Sequence, residues 1–472
     1  MSLLKDTLWF AVGNFGSKII TLLLVPLYTN VLTTGEYGTA DIINTTVSLA
    51  VPIFTLSIND AVFRFAMEKS KKPREVLNSS LLVVALAPIA LCLFYPLISA
   101  VLPSIVEFWM FFVLTFVCYA LADLFGNYLK AVGQTKIFAC KGIVQTLIYA
   151  MSNVFFLLVL KMGLKGYLIS SLLGSASAIA FMVVKSKLYC IFSPADIKKP
   201  LLSEMLQYCI PLIPASIAWW IMASIDKYML LYMCGSEANG LYSVAHKIPT
   251  IVSTFMTFFV NSWQIAAVKG VEETDNAEYT SSLYNKVLAF GVIGTGILVA
   301  FSRPIGSILF KKDFFMAWTM SPSLCVSTLF SSLSMILGAQ FTAYKRSDLH
   351  LISNLVAVVS NTLFNLICIS LIGANGAAVG TMLSFFVLLI YREIKVKHLM
   401  QVSYRLHNYF AYSVLIFCGT YIAITTSFAT VISMISAIVL LGVYRNELKD
   451  ITIVIMHYIK KKKTNEKESK NG

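Results

Sequence analysis

Residues 79–102 read SSLLVVALAPIALCLFYPLISAVL, twenty-four positions without a charged side chain. A helix of that length is about 36 Å long, enough to cross a hydrocarbon core of about 30 Å. Just before it, residues 63–78 read FRFAMEKSKKPREVLN, with Arg64, Lys69, Lys71, Lys72 and Arg74 inside eleven positions. A basic cluster abutting an uncharged run marks a connection held on the cytoplasmic side of a membrane. Outward from this pair the same alternation continues. Apolar runs suited to spanning lie at 8–32, 40–63, 79–102, 107–129, 138–160, 164–184, 206–233, 240–268, 286–310, 318–343, 349–371, 376–391, 408–427 and 429–446. The reading is therefore an all-α, polytopic membrane protein with about 14 transmembrane helices.

The connections test that count. Even-numbered gaps carry Lys130, Lys136 and Lys141; Lys185, Lys187, Lys198 and Lys199; Lys269 and Lys286; Lys345 and Arg346; then Arg392, Lys395, Lys397 and Arg405. The tail closes on Lys460 to Lys463. Odd-numbered gaps are nearly bare, apart from Lys161 with Lys165 and Lys311 with Lys312. The alternation predicts both termini in the cytoplasm and a multi-pass protein of the cell membrane. The 8–32 run is too long for a signal-peptide core and reads as an uncleaved span, and 451–458 is a candidate amphipathic helix. The outward connections are short, so they offer no domain for a large active site.

Composition agrees. Hydrophobic residues make up 58% of 472 positions and charged ones 13%, against roughly 45–50% and about 25% in soluble domains. Mean hydropathy is +0.78. The net charge of +14 sits in short clusters between apolar runs rather than in one patch, which argues against nucleic acid as a partner. The nine cysteines, Cys92, Cys118, Cys140, Cys209 and Cys368 among them, show neither Cys-x-x-Cys nor zinc spacing and read as packing residues. The sequence lacks a P-loop lysine motif, His-Glu-x-x-His and Gly-x-Ser-x-Gly. No cofactor, metal or catalytic residue is therefore expected, and any work must draw on gradients, membrane potential or removal of product.

Two halves echo each other. Ala131 to Asn153 aligns without a gap on Ala343 to Asn365, each leading into a glycine-led helix at Gly166 and Gly376. Glu36-Tyr-Gly38 is echoed by Glu237-Ala-Asn-Gly240, and Tyr95-Pro96 by Arg303-Pro304. The shared order at a near-constant offset predicts two six-span lobes, residues 1–200 and 201–400. Six is even, so the lobes share one orientation, and a cavity between them near the midplane is expected. Residues 401–472 would hold two further helices and a basic cytoplasmic tail.

Charges inside spans carry the functional information, since each costs about 2.5–3.5 kcal/mol at a helix centre on insertion scales. Lys18 lies near the middle of span one; Asp41 opens span two and Arg64 closes it; Asp123 lies in span four. Asp226 and Lys227 fall in span seven, and His246 and Lys247 early in span eight. Two readings stay open: a cationic cavity for an anionic substrate, with the acids gating it, or mutual pairing and snorkelling. Asp226 and Lys227 are about 100° apart on a helix, so each needs its own partner. The Asn and Gln residues, including Asn59, Asn127, Asn261 and Gln264, read chiefly as interhelical hydrogen-bonding groups.

Three segments resemble the polysaccharide-biosynthesis flippases of the multidrug/oligosaccharidyl-lipid/polysaccharide exporter superfamily. They are Gly16-Ser-Lys18 through Pro26-Leu-Tyr-Thr to Gly35-Glu-Tyr-Gly38; Asn59-Asp-Ala-Val-Phe-Arg64; and Asp226-Lys-Tyr-Met-Leu with Gly240-Leu-Tyr-Ser-Val-Ala-His-Lys247-Ile-Pro249 and Asn261-Ser-Trp-Gln264. The resemblance implies an inverted V of two lobes around a cationic cavity for an undecaprenyl-diphosphate-linked oligosaccharide. It implies Lys18, Arg64, Lys227 and Lys247 as substrate-binding residues, while Asp41, Asp123 and Asp226 stand as coupling or gating residues. Lys227 stands where the family more often has arginine; phosphate accepts lysine as a point charge. The expected partners are the lipid-linked oligosaccharide, membrane lipids, a polysaccharide polymerase and glycosyltransferases. A multidrug/cation antiporter, a peptidoglycan lipid-precursor flippase and a membrane polymerase are the competing readings. Under the flippase reading Lys18→Ala or Lys247→Ala abolishes surface polysaccharide while the protein still accumulates in the membrane, as glycan staining and immunoblotting of the membrane fraction would show; normal polysaccharide in both variants would exclude the cationic cavity.

Overall fold

In a bilayer core every backbone N–H and C=O must be satisfied within the protein, and an apolar helix does so by itself. Every regular element among the described residues is helical, and none is a strand. The computed structural model describes residues 16–270, 276–344, 346–400, 402 and 404–447, with the side chains at 219, 258, 261–270, 276–279 and 347 outside that description. The first half of the predicted span one, the side chains of Asn261 and Gln264, and the stretch 451–458 lie outside the described residues.

The main helices are α1 (Gly16–Val31), α2 (Thr34–Phe54), α3 (Ile58–Met67), α4 (Pro73–Leu93), α5 (Trp109–Ala131), α6 (Thr135–Val159), α7 (Gly163–Lys185), α8 (Lys199–Cys209) and α9 (Ile213–Ala245). They continue as α10 (Pro249–Gly270), α11 (Asn276–Ala300), α12 (Ser302–Leu309), α13 (Ser321–Ala343), α14 (Ser347–Ile372), α15 (Ala374–Met400), α16 (Leu406–Ile424) and α17 (Ala429–Val443). Among the described residues nine helices are long and apolar enough to cross a membrane, or ten if α2 and α3, bent by 58°, form one span. The difference from fourteen has local causes. Only part of the first span is described, and α17 has just 15 residues. The region of spans seven and eight is broken at Gly235 (φ 86°, ψ 177°) and before Pro249, while one crossing helix, Lys199–Ala218, runs through the 3-10 turn Ile210–Leu212 that carries Pro211.

Contacts divide the chain into two compact units, residues 1–244 with 308–315, and 245–307 with 316–472. In the first, α5 is the central helix, packing on α2, α3, α4, α6 and α7. Its Phe112, Phe116, Ala120 and Leu124 recur every four residues and are fully buried, the stripe that a helix turns toward its neighbours. In the second unit α13 is enclosed by α10, α11, α14, α15 and α16. Its buried Ser321, Ser323, Ser327, Ser332, Ser334 and Gly338 keep the flanks thin, letting neighbouring backbones approach where lipid supplies no hydrophobic drive for association.

The order of elements repeats. A long helix, a short proline-started helix, a 23-residue helix and a helical hairpin follow one another as α4, Tyr95–Val101, α5, α6 and α7, and again as α11, α12, α13, α14 and α15. Each hairpin turns on a glycine with positive φ, Gly163 (55°) and Gly373 (60°). At the second, a Cβ on Gly376 would lie 2.0 Å from the Cys368 carbonyl oxygen, and one on Gly380 would lie 2.7 Å from Asn365 Oδ1. The Gly376-x-x-x-Gly380 spacing thus marks a true close contact of α14 with α15.

The tightest approach joins the two echoed motifs. A Cβ on Gly38 would stand 2.0 Å from the Ser236 carbonyl oxygen, and one on Gly240 would stand 1.9 Å from that of Thr34. Asn239 Nδ2 donates to the Gly38 carbonyl at 3.1 Å across this crossing. The start of α2 is held there by a capping box, in which Thr33 Oγ1 accepts from Glu36 N–H and Glu36 Oε2 from Thr33 N–H. Because backbone rather than side chain must yield, Gly240→Ala should destabilise the protein by about 1–3 kcal/mol or more. Thermal unfolding of the detergent-purified protein checks this, with Gly294→Ala, whose added Cβ meets nothing within 4 Å, as the unaffected control.

Candidate functional site

Helix α2 presents Asp41, Thr45 and Ser48 at spacings of four and three, one polar stripe along one face. Opposite lies α9 of the same unit. Lys227 Nζ donates to Asp41 Oδ1 at 3.0 Å, lies 2.9 Å from Oδ2, and reaches Thr45 Oγ1 at 3.4 Å. Two turns earlier on α9, Trp220 Nε1 donates to the Thr45 carbonyl at 3.0 Å and to Ser48 Oγ at 3.1 Å. Tyr228 and Thr46 share a hydroxyl–hydroxyl bond of 2.7 Å beside them. The Lys227 and Asp41 side chains keep 20% and 21% of their exposure, so this ion pair is neither sealed in protein nor free of it.

Asp226, one residue away, turns elsewhere. Its Oδ1 accepts the Lys227 backbone N–H at 2.9 Å, and Oδ2 accepts the hydroxyl of Tyr242. Asp226 is buried at 6% exposure. The neighbours have separate partners, as a 100° step on a helix demands. The site is therefore a lysine opposed by one carboxylate, with a second, deeper carboxylate engaged by a tyrosine. With all three groups ionised its formal charge is −1, one lysine against two carboxylates. An anion could engage Lys227 only by taking over some of the bonds that Asp41 now holds.

Asp123, Arg64 and Lys18 have other partners or surroundings within the first unit. Asp123 on α5 accepts from Asn59 Nδ2 at 2.9 Å and from Asn127 Nδ2 at 3.3 Å, while Lys141 Nζ donates to the neighbouring Ala122 carbonyl at 3.2 Å. Arg64 is exposed; its guanidinium stacks 4.6 Å from the Tyr208 ring and lies 4.0 Å from Glu68. Lys18 is half-buried on α1 and makes no ion pair among the described residues. Lys247, in the other unit, is half-buried in the turn before α10, its carbonyl accepting from Thr250 Oγ1. The structure joins Asp41, Asp226 and Lys227, and forms a second cluster around Asp123.

Reading charged side chains alone overlooked Thr45, Ser48, Trp220 and Tyr228; the 41–45–48 spacing was their signal. It also placed Arg392 in a cytoplasmic gap, whereas the structure buries Arg392 and Glu393 at 4% and 1% exposure. Here the signal was the broad apolar stripe of Leu388, Leu389, Val396 and Met400, which carries both charges inward. Arg392 donates to the Ser334 carbonyl at 2.7 Å, to Ser353 Oγ at 3.0 and 3.2 Å, and to Asn354 Oδ1 at 2.8 Å. Gly338 makes room for it, since a Cβ there would stand 2.6 Å from Arg392 Nη1.

Many apolar helices among the described residues, with polar pairs between them and small residues at their crossings, define a multi-pass membrane protein. The chain belongs to the polysaccharide biosynthesis protein family, whose profile matches residues 3–264. Among solved structures it is similar to "Lipid II flippase MurJ, inward closed conformation", at 14% identity and TM-score 0.68, covering 93% of this chain and 99% of that one. It is also similar to an inward-facing multidrug resistance MATE transporter of the MOP superfamily, at 15% identity and TM-score 0.59, over 84% and 96% of the two chains. A MOP superfamily transporter from Pyrococcus furiosus, described as having a binding pocket of reverse polarity, matches at 12% identity and TM-score 0.57, over 84% and 95%. At these identities the likeness establishes a shared fold. No curated protein sequence matches the chain.

The ion pair can be weighed directly. In a double-mutant cycle of Lys227→Ala and Asp41→Ala, followed by thermal unfolding in detergent, the two changes should couple by about 0.5–3 kcal/mol. Either single change should cost more than its share of the double, because it strands a half-buried charge.

Proposed function

We propose that the protein is a flippase that carries an undecaprenyl-diphosphate-linked oligosaccharide from the cytoplasmic to the outer leaflet by alternating access, for surface polysaccharide biosynthesis. The family match carries this reading. The partly exposed Lys227–Asp41 pair supplies its chemistry: the diphosphate takes over Asp41's bonds to Lys227, and Asp41 recovers them once the substrate leaves. Lys18, Lys247 and Arg64 serve as further phosphate contacts, and Asp123 and Asp226 as gating groups. Binding energy spent on exchanging one carboxylate for another anion is recovered at release, which a carrier needs and a tight binder does not. The protein works in the cell membrane with both ends in the cytoplasm, beside the glycosyltransferases that build its substrate and the polymerase that consumes it.

The fold shared with a lipid II flippase supports a second reading, in which the lipid-linked head is a peptidoglycan precursor. Proteoliposomes separate these. They are loaded with a short undecaprenyl-diphosphate-linked glycan, with lipid II, or with a fluorescent organic cation, and movement is read with a membrane-impermeant glycosidase or by dye release. The expected result is protein-dependent movement of the linked glycan, reduced at least tenfold in Lys227→Ala. Movement of lipid II alone would install the second reading; movement of the cation alone would overturn both in favour of an antiporter.

A further inference from the structure

Glu393 is a buried carboxyl group that neither the substrate site nor the ion pairs of the described residues account for. It sits on α15 at 1% exposure, and its Oε1 accepts the hydroxyls of Tyr284 from α11 at 2.9 Å and Tyr412 from α16 at 3.0 Å. Its Oε2 is buried without a hydrogen-bond partner among the described residues. No lysine, arginine or histidine lies within ion-pair distance of it among the described residues. Arg392, the adjacent cation, points about 100° away around the helix and is bound to Ser334, Ser353 and Asn354.

The groups that face Glu393 from the other packed elements are phenols. Besides Tyr284 and Tyr412 they are Tyr409 on α16, Tyr404 before it, and Tyr444 after α17. Helix α13 brings no charged residue, and α14 brings His350, which interacts with Arg392, and the exposed Asp348, which pairs with Arg346. A carboxylate enclosed without a counter-cation is costly, whereas a neutral acid among hydroxyls is not. A guanidinium stays charged throughout; a carboxyl can change state by taking a proton.

We propose that Glu393 is a proton-binding site of this protein, distinct from the Asp41–Lys227 site and placed where α16 joins α11 and α15. Uptake transfers a proton from hydronium, forming one O–H bond on the carboxylate as one in hydronium breaks; release returns the proton to water. The site couples that step to packing: Tyr412 belongs to α16, and Asn408, one turn earlier, bonds Asn285 of α11 at 2.9 Å and accepts from Tyr444 at 2.9 Å. Ionising Glu393 would draw water or a cation into this joint and loosen α16. The proposal holds for any cargo and does not rest on the flippase reading.

Infrared difference spectra of the purified full chain in nanodiscs, recorded between acid and alkaline buffer, test it. The expected result is a protonated-carboxyl band lost in Glu393→Gln and shifted in Tyr412→Phe and Tyr284→Phe, which keep the carboxyl and remove one hydroxyl each. A spectrum unchanged in Glu393→Gln and in both tyrosine variants would overturn the proposal. So would loss of the band on adding sodium at constant pH, which would assign the site to a metal cation. If Glu393→Gln does not fold, the two tyrosine variants decide alone: a shift supports the proton and its absence overturns it. Failure of glycan transport with these spectra intact would remove the flippase reading and leave the proton site standing.

Discussion

At Gly38 and Gly240 two helices touch backbone to backbone, with less room than one methyl group requires. The polar bonds between α2 and α9 are arranged around that contact. It brings the segment after the Gly235 break against the start of α2, and the Thr33–Glu36 capping box sets where α2 begins. With α2 and α9 so held, Asp41 and Thr45 come opposite Lys227, and Ser48 comes opposite Trp220. A side chain at either glycine would push the helices apart and lengthen each of these polar bonds. That the contact joins two echoed motifs, Glu36-Tyr-Gly38 and Glu237-Ala-Asn-Gly240, gives the repeat a physical meaning: related segments of the chain pack on each other.

The polar chemistry follows one rule throughout. Where a charge is carried into a helix interface, its adjacent residues take partners on different faces. Asp226 goes to Tyr242 while Lys227 goes to Asp41; Arg392 goes to Ser334, Ser353 and Asn354 while Glu393 goes to Tyr284 and Tyr412. Lys227, Arg392 and Glu393 each tie two helices together, whereas Asp226 is held within α9 by Tyr242 and by the Lys227 backbone N–H. The two clusters differ in what they permit. Asp41 and Lys227 neutralise each other and retain about a fifth of their exposure, so an incoming anion can compete. Glu393 is enclosed and faces only hydroxyls, so its exchange is restricted to something as small as a proton.

Much of the fold was legible because bilayer and helix impose strong, local signatures. Uncharged runs such as 79–102 and the basic residues 64–74 before them can be read one segment at a time, and the echoed Gly166 and Gly376 lie three residues into the helices that follow the hairpin turns at Gly163 and Gly373. Legibility failed where helices break. At Gly235 and before Pro249 hydropathy stays high while the backbone turns, since hydropathy averages over composition and is blind to a single residue's φ. The site was half legible. That Asp226 and Lys227 needed separate partners followed from helical geometry, but which residues those were did not.

By itself, then, the sequence determined an all-helical membrane protein, its internal repeat, and the short roster of charges placed where charge is costly, because length, apolarity and the cost of burying an ion act residue by residue. Only the tertiary structure decided that Lys227 meets Asp41, that Arg64 stacks in the open on Tyr208, and that Arg392 and Glu393 turn into the protein rather than into a loop. Those outcomes depend on which helix faces lie opposite each other. That is set by the close crossings at Gly38, Gly240, Gly338 and Gly376, between positions far apart in the chain or on neighbouring helices, and no local pattern records it.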